Sequence, residues 1–215
     1  DRYKRKIYYL RISVTDRCNL RCEYCMPAEG IKMLPHDDIL SFDEIVETTK
    51  LAVSLGVDKV RITGGEPLVR KGIVDLVRML SAIQGIKDLA MTTNGIYLPK
   101  FAQALADAGL QRVNISLDTL DPEKYNKITR VGKLEDVLKG IDAAKKAGLL
   151  PIKINCVVKK SANETDAKQV KAFADEQGLQ VRFIPQMNLE TGEFGIVDGG
   201  DGGNCKKCNR LRLTS

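Results

Sequence analysis

Three cysteines in one short segment suggest chemistry most directly. Cys18, Cys22 and Cys25 follow a C-x3-C-x2-C pattern within eight residues. Thiolates are soft ligands suited to iron–sulfur clusters or zinc, and both sites commonly take four protein ligands. Because no histidine or fourth cysteine is near, the loop predicts a metal site with one open position, where iron could bind a cofactor and pass it an electron. The alternative is a zinc site completed by a distant cysteine: Cys156, Cys205 or Cys208.

A second candidate site is the glycine-rich segment Gly64-Gly65-Glu66-Pro67. Glycine lets the backbone approach a ligand closely, and the Glu66 carboxylate can accept hydrogen bonds from a ligand ammonium group. Taken alone, the same four residues would be an ordinary turn with a capping acid. The position of this segment relative to the cysteine loop and the predicted strands therefore bears on its function.

The rest of the sequence alternates between predicted strands and predicted helices. The strands are expected at Ile7–Ser13, Lys59–Thr63, Asp88–Thr92, Arg112–Leu117, Ile152–Val158 and Gln180–Ile184. The helices are expected from the Ser41 N-cap through Leu55, and at Gly72–Ala82, Pro99–Ala108, Leu134–Ala147 and Asn163–Gln177. This alternation predicts an α/β protein with a parallel sheet, which either curls toward a barrel or is wound on both faces. Of the two, we expect a partial (β/α)6 TIM-type barrel of parallel strands. We expect residues 1–184 to form the barrel, and residues 185–215 to form a glycine-rich loop and a short cysteine-containing extension.

The segments rich in functional residues all follow predicted strand ends. The cysteine loop Val14–Pro27 follows the first strand, Gly64–Pro67 the second, Thr92–Gly95 the third and Ser116–Asp118 the fourth. Ligands of parallel α/β sheets and barrels bind at the carboxyl ends of the strands. The sequence therefore predicts one active site at that edge of the sheet.

Composition excludes several classes of protein. Hydrophobic residues make up 43% and charged residues 29% of the 215 residues, which indicates a globular chain. No apolar run approaches the ~20 residues of a membrane span and no signal peptide is recognisable, so we expect a cytoplasmic protein. The net charge of +6 is dispersed, and the chain has only six tyrosines, five phenylalanines and no tryptophan for base stacking. The excess charge indicates either an ordinary solvated basic surface or, if particular arginines lie together, a site for an anionic small molecule. Neither a nucleic acid nor a membrane is expected as a partner.

The cysteine spacing, with Tyr24 before the last cysteine, and the Gly64–Pro67 segment together resemble the radical S-adenosylmethionine (SAM) superfamily. Other segments are similar to the GTP 3′,8-cyclases of molybdenum cofactor biosynthesis: Val14–Cys22, Cys25–Pro27, Arg61–Leu68, Thr92–Gly95, Ile115–Asp118, Lys153–Asn155 and Cys205–Leu213. The similarity runs from about Leu10 to Thr214. It implies a GTP-binding lyase that cleaves SAM reductively and uses the 5′-deoxyadenosyl radical to abstract a hydrogen from GTP.

The resemblance also implies a role for each matched residue. Cys18, Cys22 and Cys25 would ligate the [4Fe–4S] cluster that cleaves SAM. The matched SAM-binding positions are Tyr24, Gly64, Gly65, Glu66, Pro67, Ser116 and Met187. The matched GTP-binding positions are Arg11, Arg61, Thr92, Lys153, Arg210 and Arg212. Cys205 and Cys208 would ligate a second iron–sulfur cluster, and an electron donor such as flavodoxin or ferredoxin would be the protein partner.

The C-terminal region departs from the cyclase pattern. Met187 and Cys205 are 18 positions apart, where the cyclases have a long segment. The third ligand of their second cluster follows the Arg-x-Arg element, and here would lie beyond Ser215, so the resemblance implies a truncated auxiliary-cluster segment. One alternative is a related radical SAM enzyme acting on another substrate, such as a peptide. Another is a non-catalytic iron–sulfur or zinc protein, in which Gly64–Pro67 would have no role.

Overall fold

Seven parallel strands form one sheet in the computed structural model, which describes residues 5–35, 38–186, 197–200 and 208–214. The strands are β1 (Tyr9–Ser13), β2 (Lys59–Thr63), β3 (Asp88–Thr93), β4 (Arg112–Ser116), β5 (Lys153–Val158), β6 (Gln180–Pro185) and β7 (Arg210–Leu213). The helices are α1 (Phe42–Ser54), α2 (Ile73–Ser81), α3 (Leu98–Asp107), α4 (Pro122–Thr129), α5 (Leu134–Lys146) and α6 (Thr165–Glu176). A short 3₁₀ turn covers Pro67–Val69.

The strand order is β6-β5-β4-β3-β2-β1-β7, and every neighbouring pair is parallel. From β1 to β6 each strand lies beside the one before it in the chain, as successive βα units require. This order confirms the predicted partial TIM-type barrel. The last strand, β7, pairs on the other side of β1 and joins the C-terminal extension to the barrel sheet. Within the described residues β6 and β7 are the two edges of the sheet, so the barrel is open between them.

All predicted strands and helices are present, with ends that differ by at most two residues. The capping box predicted at Ser41 is confirmed, because its Oγ accepts from the Glu44 amide at 3.2 Å and Glu44 Oε2 accepts from the Ser41 amide at 2.7 Å. Two elements were not predicted, α4 and β7. The sequence does carry a signal for α4, since Asp121 accepts from two first-turn amides and Pro122 occupies the first turn. The four residues of β7 are too few to give a periodic pattern.

The two faces of the sheet differ in chemistry. One face presents fully buried aliphatic side chains such as Ile12, Ile62 and Ile115, which pack in the hydrophobic core with the helices. Side chains alternate between faces along a strand, so the neighbours of these residues project from the opposite face. In β1, β2 and β4 those neighbours are polar, as in Arg11 and Arg61. We call this surface the polar face; it is the inside of the half-barrel.

Candidate functional site

The cysteine loop is shaped by a tight turn between its second and third thiols. The amides of Cys25 and Met26 both donate to the Cys22 carbonyl, at 2.9 and 3.2 Å. This turn brings the Cys22 and Cys25 side chains close together, and the interaction between them raises the pKa of the Cys22 thiol and lowers that of Cys25. Cys18 Sγ accepts from the Leu20 amide at 3.4 Å, while burial raises the pKa of the Cys18 thiol. Cys25 is exposed and the other two thiols are half-buried, so the loop presents its sulfurs to a ligand at the surface of the site.

The three thiols of the loop are soft donors that fit an iron–sulfur cluster, and one distant cysteine proposed to complete a zinc site lies elsewhere. Among the described residues, no three His, Cys, Asp or Glu side chains converge as ligands of one metal ion. Zinc needs all its ligands within about 2.0–2.3 Å of a single centre, whereas cluster thiolates each bind a different iron atom. Cys156, one proposed fourth zinc ligand, is only 1% exposed in β5 and belongs to the hydrophobic core. Burial raises the pKa of its thiol, as expected of an inert structural cysteine.

Arg130 fastens the cysteine loop to the end of α4. Its Nη1 donates to two loop carbonyls, those of Arg21 at 2.7 Å and Met26 at 2.9 Å. The Arg21 amide in turn donates to the Thr129 carbonyl at 3.1 Å. Arg130 itself has a φ of 65°, which makes it the one non-glycine residue with positive φ in the described part of the chain. Backbone strain of this kind persists only where surrounding contacts compensate for it, and here those contacts hold the cysteine loop.

Tyr24 connects the same loop to β4 and β5. Its hydroxyl donates a 2.6 Å hydrogen bond to Asp118 Oδ2, and the Val157 amide donates to Asp118 Oδ1 at 2.7 Å. Burial raises the pKa of Asp118 to about 6, and burial is also the main reason that the pKa of Tyr24 is raised. The hydroxyl of Tyr24 therefore has a structural partner, which leaves its ring and backbone as the parts available to a ligand.

The glycines of the Gly64–Pro67 segment allow contact with the cysteine loop. The Gly65 amide donates to the Thr15 carbonyl at 2.6 Å. A Cβ atom on Gly65 would lie 2.3 Å from the Arg17 carbonyl oxygen, and one on Gly64 would lie 2.7 Å from the Thr15 carbonyl oxygen. Both distances are well inside van der Waals contact. The two sequence segments predicted to form one site therefore pack backbone against backbone, and only glycine permits it.

Glu66 links the end of β2 to the end of β3 by hydrogen bonds. It is 1% exposed, and its carboxylate accepts from Thr93 Oγ1 at 2.7 Å, the Asn94 amide at 2.7 Å and the Leu68 amide at 3.0 Å. Burial raises the pKa of Glu66, while these three bonds oppose that shift. A carboxylate offers about four acceptor positions, and three of those of Glu66 are used within the protein. Asn94 also donates from Nδ2 to Asn19 Oδ1 at 2.7 Å, which brings a third strand end to the cysteine loop.

The strand register collects the predicted GTP-binding cations on the polar face. Arg11 is the Cα partner of Arg61 on one side and of Arg212 on the other. Arg61 and Arg210 both lie over the ring of Tyr9, each guanidinium carbon 5.5 Å from the ring centroid. Burial lowers the pKa of Arg61 to about 10. A row of cations held in a partly desolvated concave surface is suited to a polyanion.

Lys153 extends this positive surface toward β5. Its pKa is lowered first by burial and then by repulsion from Arg112, Arg182 and Arg61, with Asp88 opposing the shift. Thr92 lies on β3, the strand next to β4. Ser116 is the last residue of β4, two positions before Asp118, which bonds to Tyr24 of the cysteine loop. Of the remaining predicted site residues, Cys208 is half-buried just before β7, whereas Met187 and Cys205 lie outside the described residues.

Several polar residues of this face were not predicted from the sequence. Arg112 forms a two-fold ion pair with Asp88, in which Nε and Nη2 donate to the two carboxylate oxygens at 2.9 and 2.5 Å. Asn114 and Asn155 are buried and each has a side-chain atom without a hydrogen-bond partner, as does Arg61 at Nε. Polar residues at alternate positions of β4 and β5 were the available signal, since one face of each strand is otherwise apolar.

Comparison with known proteins defines the class to which this fold and site belong. Residues 12–174 match the radical SAM superfamily, and the chain belongs to that superfamily. Solved structures share the fold at low sequence identity. A Streptococcus suis SuiB structure with bound S-adenosylmethionine has a TM-score of 0.69 and 21% identity, over 87% of this chain and 42% of SuiB. Methylornithine synthase (PylB) has a TM-score of 0.65 and 17% identity, over 93% of this chain and 57% of PylB.

Closer relatives are enzymes named GTP 3′,8-cyclase. The one from Thermodesulfovibrio yellowstonii is 54% identical over 188 residues, covering 87% of this chain and 58% of the relative. The one from Listeria monocytogenes is 52% identical over 189 residues, covering 88% of this chain and 57% of the relative. The chain thus spans less than two-thirds of the relatives it matches. None of the described helices is long and apolar enough to cross a membrane.

Proposed function

We propose that this chain is a SAM-cleaving lyase that cyclises GTP in molybdenum cofactor biosynthesis. The observation that carries the proposal is the juxtaposition of the cysteine loop, which follows β1, with the row of cations on the polar face. Similarity to GTP 3′,8-cyclases over 87% of the chain supports the same substrate. Because the chain covers only 58% of that relative, the complete reaction is part of the proposal.

The cofactors proposed are a [4Fe–4S] cluster and SAM. Cys18, Cys22 and Cys25 would hold three of the four irons, and the turn at Cys22 gives two of these thiols their spacing. With one electron from an electron donor, the bound cluster and SAM would supply the radical chemistry that removes a hydrogen atom from the substrate. The SAM site we propose comprises Tyr24, Gly64, Gly65, Glu66, Pro67, Ser116 and Met187. Within it, the Glu66 carboxylate is the acceptor proposed for the methionine ammonium group.

The substrate site we propose lies on the polar face. Arg11 and Arg61 are cross-strand neighbours there, and guanidinium groups bind phosphate oxygens in two-fold geometry. Lys153 adds a point charge, with Thr92, Arg210 and Arg212 completing the set. The lowered pKa values of Arg61 and Lys153 indicate positive charge that is poorly solvated and repelled by its neighbours. A triphosphate would relieve that repulsion, which is the physical reason for preferring GTP to a neutral substrate.

Three further elements complete the proposal. Cys205 and Cys208 would contribute ligands to a second iron–sulfur cluster; of the two, Cys208 is described and lies just before β7. We propose that residues 1–184 act as the catalytic barrel and residues 185–215 as the segment that carries this second site. The electron donor would be a flavodoxin or ferredoxin, and the reaction would take place in the cytoplasm.

The test is anaerobic reconstitution with iron, sulfide, SAM, dithionite and GTP. We expect 5′-deoxyadenosine and a cyclised guanine nucleotide, with both lost in Cys18→Ala. Cys156→Ala is the matched control, because Cys156 is a core residue and its loss should leave the brown colour of the reconstituted protein unchanged. Failure to form 5′-deoxyadenosine under these conditions would contradict SAM cleavage. Formation of 5′-deoxyadenosine without a GTP-derived product would contradict the proposed substrate alone.

A further inference from the structure

We infer that Asn114 is an additional substrate-binding residue, whose carboxamide NH₂ donates to an acceptor oxygen of the bound nucleotide; this inference rests on the proposed GTP substrate. Asn114 lies in the middle of β4 and is fully buried. Its Nδ2 atom has no hydrogen-bond partner. Buried side-chain donors are nearly always paired in folded proteins, so an unpaired one at the floor of a concave polar face indicates a ligand.

The orientation of the Asn114 carboxamide follows from its neighbour Arg112. Arg112 Nη1 lies 3.4 Å from Asn114 Oδ1. A guanidinium group is a donor only, so it is the carbonyl oxygen of the amide that must face Arg112, and the NH₂ group is turned away from it. Arg112 is itself fixed by its two bonds to Asp88, at 2.9 and 2.5 Å. Asp88 and Arg112 therefore act as positioning residues for the free donor of Asn114.

The strand register brings that donor to the proposed substrate. Asn114 is the Cα partner of Thr92 on β3 and of Lys153 on β5. Adjacent strands are about 4.8 Å apart, so Asn114 lies between two residues proposed to bind GTP. A ligand that contacts both neighbours must pass over the Asn114 side chain. The phosphate, ribose and base oxygens of GTP can each serve as the hydrogen-bond acceptor that Asn114 Nδ2 lacks.

The test is the GTP affinity of the 215-residue chain, measured by isothermal titration calorimetry for the wild type and two variants. Asn114→Asp keeps the shape of the side chain but replaces the donor with a negatively charged acceptor, and Asn114→Ala removes the donor without adding charge. We expect GTP affinity to fall by at least about tenfold in Asn114→Asp and less in Asn114→Ala. Asp88→Asn, which loosens Arg112, should give a smaller loss of GTP affinity.

The controls separate binding from folding. Thr49→Val removes a buried hydroxyl in α1, which bonds to the Ile45 carbonyl away from the polar face, and should bind GTP like the wild type. Thermal unfolding of each variant identifies any that fails to fold, and Asn114→Ser then replaces it. Wild-type GTP affinity in the folded Asn114 variants would overturn the inference and leave the proposed substrate intact. Absence of GTP binding by the wild type would overturn the proposed substrate and this inference together.

Discussion

The Tyr24 hydroxyl and the Asp118 carboxylate are 2.6 Å apart, although 94 positions separate them in the sequence. This bond joins the cysteine loop after β1 to the end of β4. Asp118 extends the connection to β5 through the Val157 amide. One carboxylate therefore links the cysteine loop to the ends of β4 and β5 and anchors that loop to the sheet.

Removing the hydroxyl in Tyr24→Phe is expected to destabilise the metal-free chain by about 1–3 kcal/mol, because it leaves a buried carboxylate oxygen without its donor. Asp118→Asn should lower the free energy of unfolding by less than Tyr24→Phe does. An amide still accepts from Val157, can donate to the Tyr24 oxygen, and carries no charge to desolvate. Urea denaturation gives both values, with the exposed Tyr97→Phe as a control. A larger loss in Asp118→Asn than in Tyr24→Phe would contradict this account of the bond.

Gly65 is expected to tolerate no side chain. Its Cβ position lies 2.3 Å from the Arg17 carbonyl oxygen, so Gly65→Ala must separate the two loops and should cost about 2–3 kcal/mol. Gly148→Ala is the matched control, because φ there is 73° and no atom lies within 4 Å of its Cβ position. That variant should lose only about 1–2 kcal/mol from backbone strain. Equal losses in the two variants would mean that contact with the cysteine loop is not what requires glycine.

Arg130 is expected to control the mobility of the cysteine loop. Arg130→Ala removes two hydrogen bonds to loop carbonyls and keeps the unfavourable φ of 65°. The Arg21 amide, which is bonded to Thr129, should then exchange its hydrogen about tenfold faster or more. Hydrogen exchange measured by mass spectrometry on the metal-free chain tests this, with Lys127→Ala on α4 as the control. Unchanged exchange in the loop would assign Arg130 a role elsewhere.

The strands and helices could be predicted from the sequence because they are locally encoded, whereas their alternation alone fits either a barrel or a doubly wound sheet. Alternation of apolar and polar residues and the Ser41 capping box set the elements, and the chemically reactive segments follow strand ends. The polar network across strands could not be predicted. Which residue meets Asn114 depends on register, and a single strand reveals only that its polar residues share a face. The partners of Glu66 were missed for the same reason, since Thr93 and Asn94 reach it from a neighbouring strand.

The cations of the polar face should cost stability until a polyanion binds. Burial and neighbouring arginines lower the pKa of Lys153, so its charged form is disfavoured in the folded chain. Lys153→Met is therefore expected to unfold at a slightly higher temperature than the wild type when no ligand is present. The same substitution should weaken binding of inorganic triphosphate. A ligand that binds only the folded state raises the free energy of unfolding by mass action, by about 2.7 kcal/mol when its concentration is a hundred times its Kd.

Thermal unfolding with and without inorganic triphosphate measures both effects. The wild-type midpoint should rise on addition of triphosphate, and 0.5 M salt should reduce the rise because it screens charge. Without triphosphate, the unfolding midpoint of Lys153→Met should be higher than that of the wild type, and triphosphate should raise it by less. Lys100→Met on the exposed surface of α3 is the control and should keep the full triphosphate response. A triphosphate response that is the same in Lys153→Met and the wild type would exclude Lys153 from the anion site, whereas a lower starting midpoint would contradict the repulsion inferred among these cations.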